Sequence, residues 1–206
     1  MRHPITIVLL LFAIRLMGQT TSNVDEVMTT LRGACFTKQI TKAKTIFFSN
    51  TTKQDTIFLT VHVGLLNQSS SRITIKTVDN RTIYDESFKT YYFIRGVFEP
   101  DSIPAGGQEV YEAYIKKYSM SLTKEIIENY AKDKINTFLN DIIVKKSELR
   151  HLKSYGATVD KEVYGTVISN PNSKVIWLPC FECDEGVRYF AYSTIKAKAV
   201  KFLETD

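Results

Sequence analysis

Two cysteines at positions 180 and 183 form the short motif with the widest range of possible chemistry in this chain. Cys180-Phe181-Glu182-Cys183 has the spacing of a redox pair, of half a zinc site or of a local disulfide. The acidic residues at 182, 184 and 185 disfavour a reactive thiolate, and a strand pattern rather than a helix follows them. We therefore predict a disulfide between Cys180 and Cys183 that fixes a turn between two strands.

The third cysteine, Cys35, leaves the disulfide pairing open. A bridge from Cys35 to Cys180 or Cys183 would close a far longer loop and would remove more freedom from the unfolded chain. A zinc site needs about four ligands, and His62 and His151 stand at no recognisable spacing from these cysteines. We expect no metal and no cofactor.

Aromatic residues in two predicted strands are the candidate binding residues. Tyr91 and Phe93 lie in one of these strands, and Tyr189 and Tyr192 lie in the other. On the outer face of a sheet they would form part of a strip that binds a sugar or another protein. The alternative is that helices cover this face, so that the aromatic side chains form the core.

Motifs of catalysis are weak in this sequence. Ser121 and Ser193 each begin a Ser-x-x-Lys match, but the other elements of penicillin-binding enzymes are missing, as is a Gly-x-Ser-x-Gly elbow. Acidic residues near Glu99 and Glu182 keep a carboxylate-based hydrolase open as an alternative, since only their separation in space would decide it. We predict no catalytic residues and favour a protein that is not an enzyme.

The first residues have the pattern of a secretory signal peptide. Arg2 precedes an apolar run over 5–13, and Gly18 offers a small residue for cleavage, whereas a membrane span needs about 20 apolar residues. We predict a signal peptide over 1–18, a periplasmic or secreted product, and no membrane segment after cleavage. An uncleaved N-terminal anchor is the alternative.

The charge of the chain argues against nucleic acid as a partner. The formal net charge is +5, and two of the cations lie within the predicted signal peptide. After that peptide no block of lysine or arginine is longer than a pair, which is unlike a nucleic-acid interface.

The hydrophobic pattern predicts an α+β fold for the single domain 19–206. A lead segment over 19–44 precedes a β-rich region over 45–98, where Ile57, Leu59, Val61, Val63 and Leu65 alternate with other residues. Asp79-Asn80 is a two-residue turn that predicts a β-hairpin over 72–88. Helical spacing covers 108–168, and within it a helix is predicted over about 123–143 from the recurrence of Ile127, Ala131, Ile135, Phe138 and Ile142. A three-stranded meander follows over 174–204. We predict an antiparallel sheet, made of the N-terminal strands and the C-terminal meander, with two to four helices covering one face.

Residues 183–192, with the sequence CDEGVRYFAY, resemble a Cys-Asp-Asp-Gly strand of bacterial periplasmic inhibitors of C-type lysozyme. This short resemblance implies an inhibitor of the cell envelope. Together with the export signal it favours a non-enzymatic binding protein of the envelope or extracellular space. Its partner would be an envelope or secreted protein, as for an inhibitor or immunity protein, or a glycan. A small secreted hydrolase and a carrier of an apolar ligand are the alternatives.

Overall fold

The computed structural model describes residues 33–100, 102, 104–140, 142–145, 147–149, 158–182 and 186–205. Antiparallel strands and helices are mixed along the chain, so the predicted α+β class is confirmed. The predicted signal peptide lies outside the described residues. Among the described residues, no helix has the length and apolar character needed to cross a membrane.

The strands and helices are named here in chain order. The strands are Cys35–Phe36 (β1), Ile40–Ile46 (β2), Asp55–Val61 (β3), Gly64–Leu65 (β4), Ser70–Lys76 (β5), Thr82–Lys89 (β6), Ile143–Val144 (β7), Thr158–Val159 (β8), Val175–Pro179 (β9), Val187–Ser193 (β10) and Lys198–Thr205 (β11). The α-helices are Gln108–Ser121 (α1), Lys124–Thr137 (α2) and Lys161–Ser169 (α3), and two 3₁₀ helices span Thr90–Phe93 and Arg95–Phe98.

The strands are divided among three sheets rather than joined in one. The N-terminal sheet has the order β2-β3-β5-β6, the C-terminal sheet has the order β7-β9-β10-β11-β8, and β1 pairs with β4. Every pairing is antiparallel. The predicted meander therefore forms the centre of a sheet of its own.

Strand β3 shows why the N-terminal sheet forms where the sequence predicts it. Ile57, Leu59 and Val61 are fully buried, and their neighbours in the strand are only partly buried. Ile57 and Leu59 pair with Ile75 and Ile73 of β5, respectively, which builds a continuous apolar face. The alternation stops after Val61, because the strand ends there.

The two larger sheets share one buried cluster. It contains Leu59 and Ile73 of the N-terminal sheet, Leu178 and Phe190 of the C-terminal sheet, and Ile127 of α2. Strand β10 alternates between two sides, because its neighbouring residues Tyr189 and Ala191 belong to a second cluster. The C-terminal sheet is thus buried on both faces.

The helices do not all join the same cluster. Helix α2 places Ile127, Ala131 and Ile135 in the larger cluster, and α3 places Val167 in the second one. Helix α1 buries none of its residues. The prediction that helices cover one face of a sheet is therefore not confirmed.

The prediction of a strand over 90–98 is wrong. Two 3₁₀ helices occupy this segment, with hydrogen bonds from Ile94 N to Tyr91 O and from Val97 N to Ile94 O, both 2.9 Å long. Thr90, Phe93, Ile94 and Val97 are the buried residues of this segment, and their spacing of three, one and three suits a helix rather than a strand. The many aromatic residues had favoured a strand by composition alone.

Candidate functional site

A cavity of about 530 Å³ lies between the two 3₁₀ helices, α2 and strand β9. We call it the aromatic pocket. Its lining residues are Tyr92, Phe93, Arg95, Gly96, Glu99, Tyr130, Lys134, Thr137, Phe138 and Trp177. The volume falls within the range of small-molecule sites, and the lining combines aromatic rings with a few charged and polar groups, as such sites do.

Helix α2 supplies one wall of the aromatic pocket. Tyr130, Lys134 and Phe138 are spaced by four residues, so they follow one another along a flank of the helix and its C-terminal end. The neighbouring stripe of Ile127 and Ala131 is buried in the core and fixes the rotation of the helix. The core packing of α2 therefore presents this flank to the cavity.

The two 3₁₀ helices supply the facing wall. They bury Phe93, Ile94 and Val97, and this leaves Tyr92, Arg95 and Gly96 at the cavity. The two walls approach each other closely at Gly96, where a β-carbon would stand 2.5 Å from the hydroxyl oxygen of Tyr130. A residue without a side chain is needed here for the tyrosine to lie across the cavity wall.

The floor of the aromatic pocket belongs to a larger cluster of rings. Tyr92 and Phe138 each contact Phe93 edge-on, with ring centroids 5.4 Å apart in both cases. Behind them Phe181, from the segment between β9 and β10, stacks on Phe88 of β6 with centroids 3.7 Å apart. These contacts connect both large sheets to the pocket and hold Tyr92 in place.

Two cations lie over aromatic rings in the lining. The guanidinium carbon of Arg95 is 4.8 Å from the ring centroid of Tyr92, and Nζ of Lys134 is 5.3 Å from that of Tyr130. Contacts of this kind hold a cation electrostatically while its N–H groups can still point elsewhere. Of the lining residues that the structure describes, Glu99 is the single carboxylate.

Burial changes the acid–base behaviour of the pocket tyrosine. It raises the pKa of Tyr92, and the nearby charge of Arg95 offsets only part of that effect. The hydroxyl therefore stays protonated near neutral pH and can both donate and accept a hydrogen bond.

The structure separates the four predicted binding residues. Phe93 lines the aromatic pocket, although it is only 2% exposed, and Tyr91 is half-buried and packs against the larger core cluster. Tyr189 is buried in the second cluster on one side of β10. Tyr192 lies on the other side of that strand, where it contacts Phe48 and accepts a hydrogen bond from Arg81. They form no common strip, and their binding role stays a prediction.

Of the two cysteines in the predicted disulfide, the structure describes Cys180. Cys180 is buried, and Cys183 lies outside the described residues, so the pairing of the two stays a prediction. Cys35 is a free cysteine in the structure, and its backbone N–H donates to a carboxylate oxygen of Glu128 at 2.9 Å. The long-range bridge from Cys35 is therefore not formed.

The acidic residues that suggested a hydrolase do not meet in one cavity. Glu99 lines the aromatic pocket, and Glu182 lines a different cavity beside Ser69 and Phe181. Asp101, Asp184 and Glu185 lie outside the described residues. Within the described part of the chain, the aromatic pocket thus contains one carboxylate that could take part in hydrolysis.

Most of the pocket residues were not among the predicted binding residues. The spacing of Tyr130, Lys134 and Phe138 along one helix flank was a signal available in the sequence. Trp177 gave a weaker one, as the only tryptophan of the chain. Their proximity to the 3₁₀ helices, which lie more than thirty positions earlier in the chain, arises only from the packing.

No family model, curated protein or solved structure matches this chain.

Proposed function

We propose that this protein is an exported, non-enzymatic binding protein and that a glycan occupies its aromatic pocket. The observation that carries the proposal is the lining itself, in which Tyr92, Tyr130, Phe138 and Trp177 stand beside charged and hydroxyl-bearing residues. The export signal supports a site of action in the periplasm or outside the cell.

A sugar ring suits this combination of surfaces. Its C–H groups carry a small positive charge and pack against the electron-rich faces of aromatic rings, while its hydroxyls need hydrogen-bond partners. The hydroxyls of Tyr92 and Thr137 and the charged ends of Arg95 and Lys134 supply such partners around the rings. The volume of about 530 Å³ accommodates one or two pyranose rings at the scale of ordinary ligand sites.

The same lining favours binding over hydrolysis. Glycoside hydrolysis commonly needs two carboxyl groups, about 5–9.5 Å apart, one on each side of the scissile bond. Among the described residues of the lining, Glu99 alone carries a carboxylate. The described residues of the lining therefore do not supply the second group of that mechanism to a bound glycan.

The lining also argues against the carrier of an apolar ligand. A carrier would enclose its ligand with apolar walls, since every polar group left facing an apolar ligand costs free energy. Here Glu99, Lys134 and Thr137 are exposed residues at the cavity. A polar ligand in contact with water agrees better with this arrangement.

Fluorescence of Trp177 offers a direct test, because the chain has no other tryptophan and this one lies in the cavity lining. We expect the emission of the purified protein to change in a saturable way with at least one family of oligosaccharides. Thr137→Phe should place a ring in the cavity, obstruct the bound ligand and abolish the change. Asn136→Phe is the matched control, since Asn136 is exposed on the same helix and does not line the cavity. Equal binding by both variants would contradict the proposal.

A protein partner is the second candidate, and helix α1 favours it. None of the residues of α1 is buried, and Val110, Tyr111 and Met120 are 45%, 42% and 67% exposed. Exposed apolar side chains on one helix are common in protein interfaces. In a pull-down from the native envelope or secreted fraction, a stoichiometric partner should be lost when Tyr111 and Met120 are both changed to serine. A partner retained by that variant would exclude α1 as its interface.

A further inference from the structure

Lys134 is a cation held at the wall of the aromatic pocket without a carboxylate partner among the described residues. Its Nζ lies 5.3 Å from the ring centroid of Tyr130, four residues earlier on α2, and it makes no ion pair with a described residue. Lysine is a strongly hydrated point charge that binds single anionic groups well. An exposed lysine at a ligand cavity is therefore available to an anion.

The end of helix α2 does not use this lysine. The carbonyl end of a helix carries partial negative charge and attracts a nearby cation. Here Lys44 of β2 donates to the carbonyl oxygens of Leu139 and Asn140 in the turn that follows α2, the first at 2.8 Å. Lys44 therefore supplies the cation at these carbonyls, whereas Lys134 lines the cavity.

The charged residues of the lining also favour an anionic ligand. Among the described lining residues, Arg95 and Lys134 are cations and Glu99 is a carboxylate. Arg95 lies over Tyr92 at 4.8 Å, on the wall that faces α2. The potential inside the cavity is raised by these two charges, and a cavity concentrates the field of charges on its walls.

From these positions we infer that the ligand of the aromatic pocket is an acidic sugar, whose carboxylate binds Lys134 while its ring packs on the aromatic lining. The inference rests on the proposed glycan binding and specifies its chemical class. Arg95 adds positive potential from the opposite wall. The neutral part of the ligand provides contact area, and the carboxylate provides selectivity.

The test compares two ligands with the same sugar rings, one with carboxylates and the other with neutral methyl esters in their place. Trigalacturonate and its methyl ester have the same chain of three rings, and the ester lacks the negative charges. We expect the acid to bind about tenfold more tightly than the ester, as measured by the fluorescence of Trp177, because a hydrogen bond between two charged groups is stronger than one to a neutral ester. Raising the salt concentration from about 50 to about 500 mM should weaken binding of the acid and leave binding of the ester unchanged.

Two methionine variants locate the effect. Lys134→Met keeps the approximate length of the side chain and removes its charge. The affinity for the acid should therefore fall to the affinity for the ester. Lys132→Met removes a charge from an exposed position of the same helix that does not line the cavity, and it should leave the tenfold preference intact.

The possible results separate this inference from the proposed function. Equal binding of acid and ester, abolished for both by Thr137→Phe, would overturn the acidic specificity and keep the glycan site. A preference for the acid that survives Lys134→Met would also overturn the inference, because another group would then bind the carboxylate. Failure of these two ligands and of a broader set of neutral and acidic oligosaccharides to change the emission would refute both ideas.

Discussion

Removing one partner of the ion pair between Arg188 and Glu86 should destabilise the protein at the junction of its two large sheets. Arg188 lies on β10 of the C-terminal sheet and Glu86 on β6 of the N-terminal sheet. The two guanidinium nitrogens donate to the two carboxylate oxygens at 2.9 and 3.0 Å, and the side chains are only 16% and 23% exposed. A further bond of 2.9 Å runs from Arg188 to the carbonyl oxygen of Pro179.

The size of the effect follows from these contacts. Breaking a buried ion pair by removing one partner costs about 3–5 kcal/mol, because the other charge is left without compensation. Two features reduce this figure here: the pair keeps some exposure, and Nε of Arg188 is a buried donor without a partner among the described residues, so methionine also removes an unfavourable group. We expect Arg188→Met to lower the free energy of unfolding by about 2–3 kcal/mol.

Urea unfolding followed by circular dichroism measures this change, and a double-mutant cycle identifies its origin. Glu86→Gln alone should cost a similar amount. In the Arg188→Met background the same change should cost much less, because the carboxylate no longer has an arginine partner, so the coupling energy should reach about 1.5 kcal/mol or more.

Arg72→Met is the matched control, since Arg72 pairs with Asp85 within the N-terminal sheet and both of their side chains are well exposed, at 51% and 40%. It should leave the urea midpoint almost unchanged. If Arg188→Met and Arg72→Met had equal small effects, or if the costs of the two changes at the junction were additive, the ion pair would not join the sheets energetically.

Two further predictions concern the pocket wall and the surface pair. Gly96→Ala should destabilise the protein by about 1 kcal/mol and weaken ligand binding, because the new β-carbon meets the hydroxyl of Tyr130 at 2.5 Å; adding Tyr130→Phe should restore both properties, and an unrescued double variant would refute this steric reason. The hydrogen bond from Arg72 is the main cause that lowers the pKa of Asp85, so the folded state gains stability from this carboxylate above the ordinary pKa near 4 and loses it as the pH falls through the lowered value. Urea midpoints should therefore show a small cost of Asp85→Asn at neutral pH that shrinks as the pH falls below the ordinary pKa near 4; a cost that grows on acidification would contradict the assignment.

Local patterns in the sequence were sufficient where one element buries one face. The alternation of Ile57, Leu59 and Val61 predicted β3, and the turn at Asp79-Asn80 predicted the hairpin of β5 and β6, in which Asn80 has a φ of 63°. The recurrence of Ile127, Ala131 and Ile135 predicted α2. In each case the period of the buried residues equals the period of the backbone, so few contacts with the rest of the chain are needed to choose the structure.

Local patterns failed where a segment has no single apolar face of its own. Strand β2 places Lys42 and Lys44 on its inward side, and Lys44 donates to the carbonyl oxygen of Leu139, just after α2. Because these inward residues are charged, no apolar alternation marked the start of β2 at Ile40. The aromatic run over 90–98 had the composition of a strand, and its burial spacing became visible only after packing. The pairing of the strands into separate sheets likewise depends on contacts between distant residues.

By itself, the sequence determined the mixture of strands and helices, the hairpin, the buried stripe of α2 and the pattern of an export signal, because each of these depends on residues that are neighbours along the chain. Only the tertiary structure decided which side chains share a cavity. Tyr92 and Arg95 come from the 3₁₀ helices, Tyr130 and Lys134 from α2, and Trp177 from β9. They meet because the apolar faces of three separate elements are buried together, and no spacing within one segment specifies that encounter.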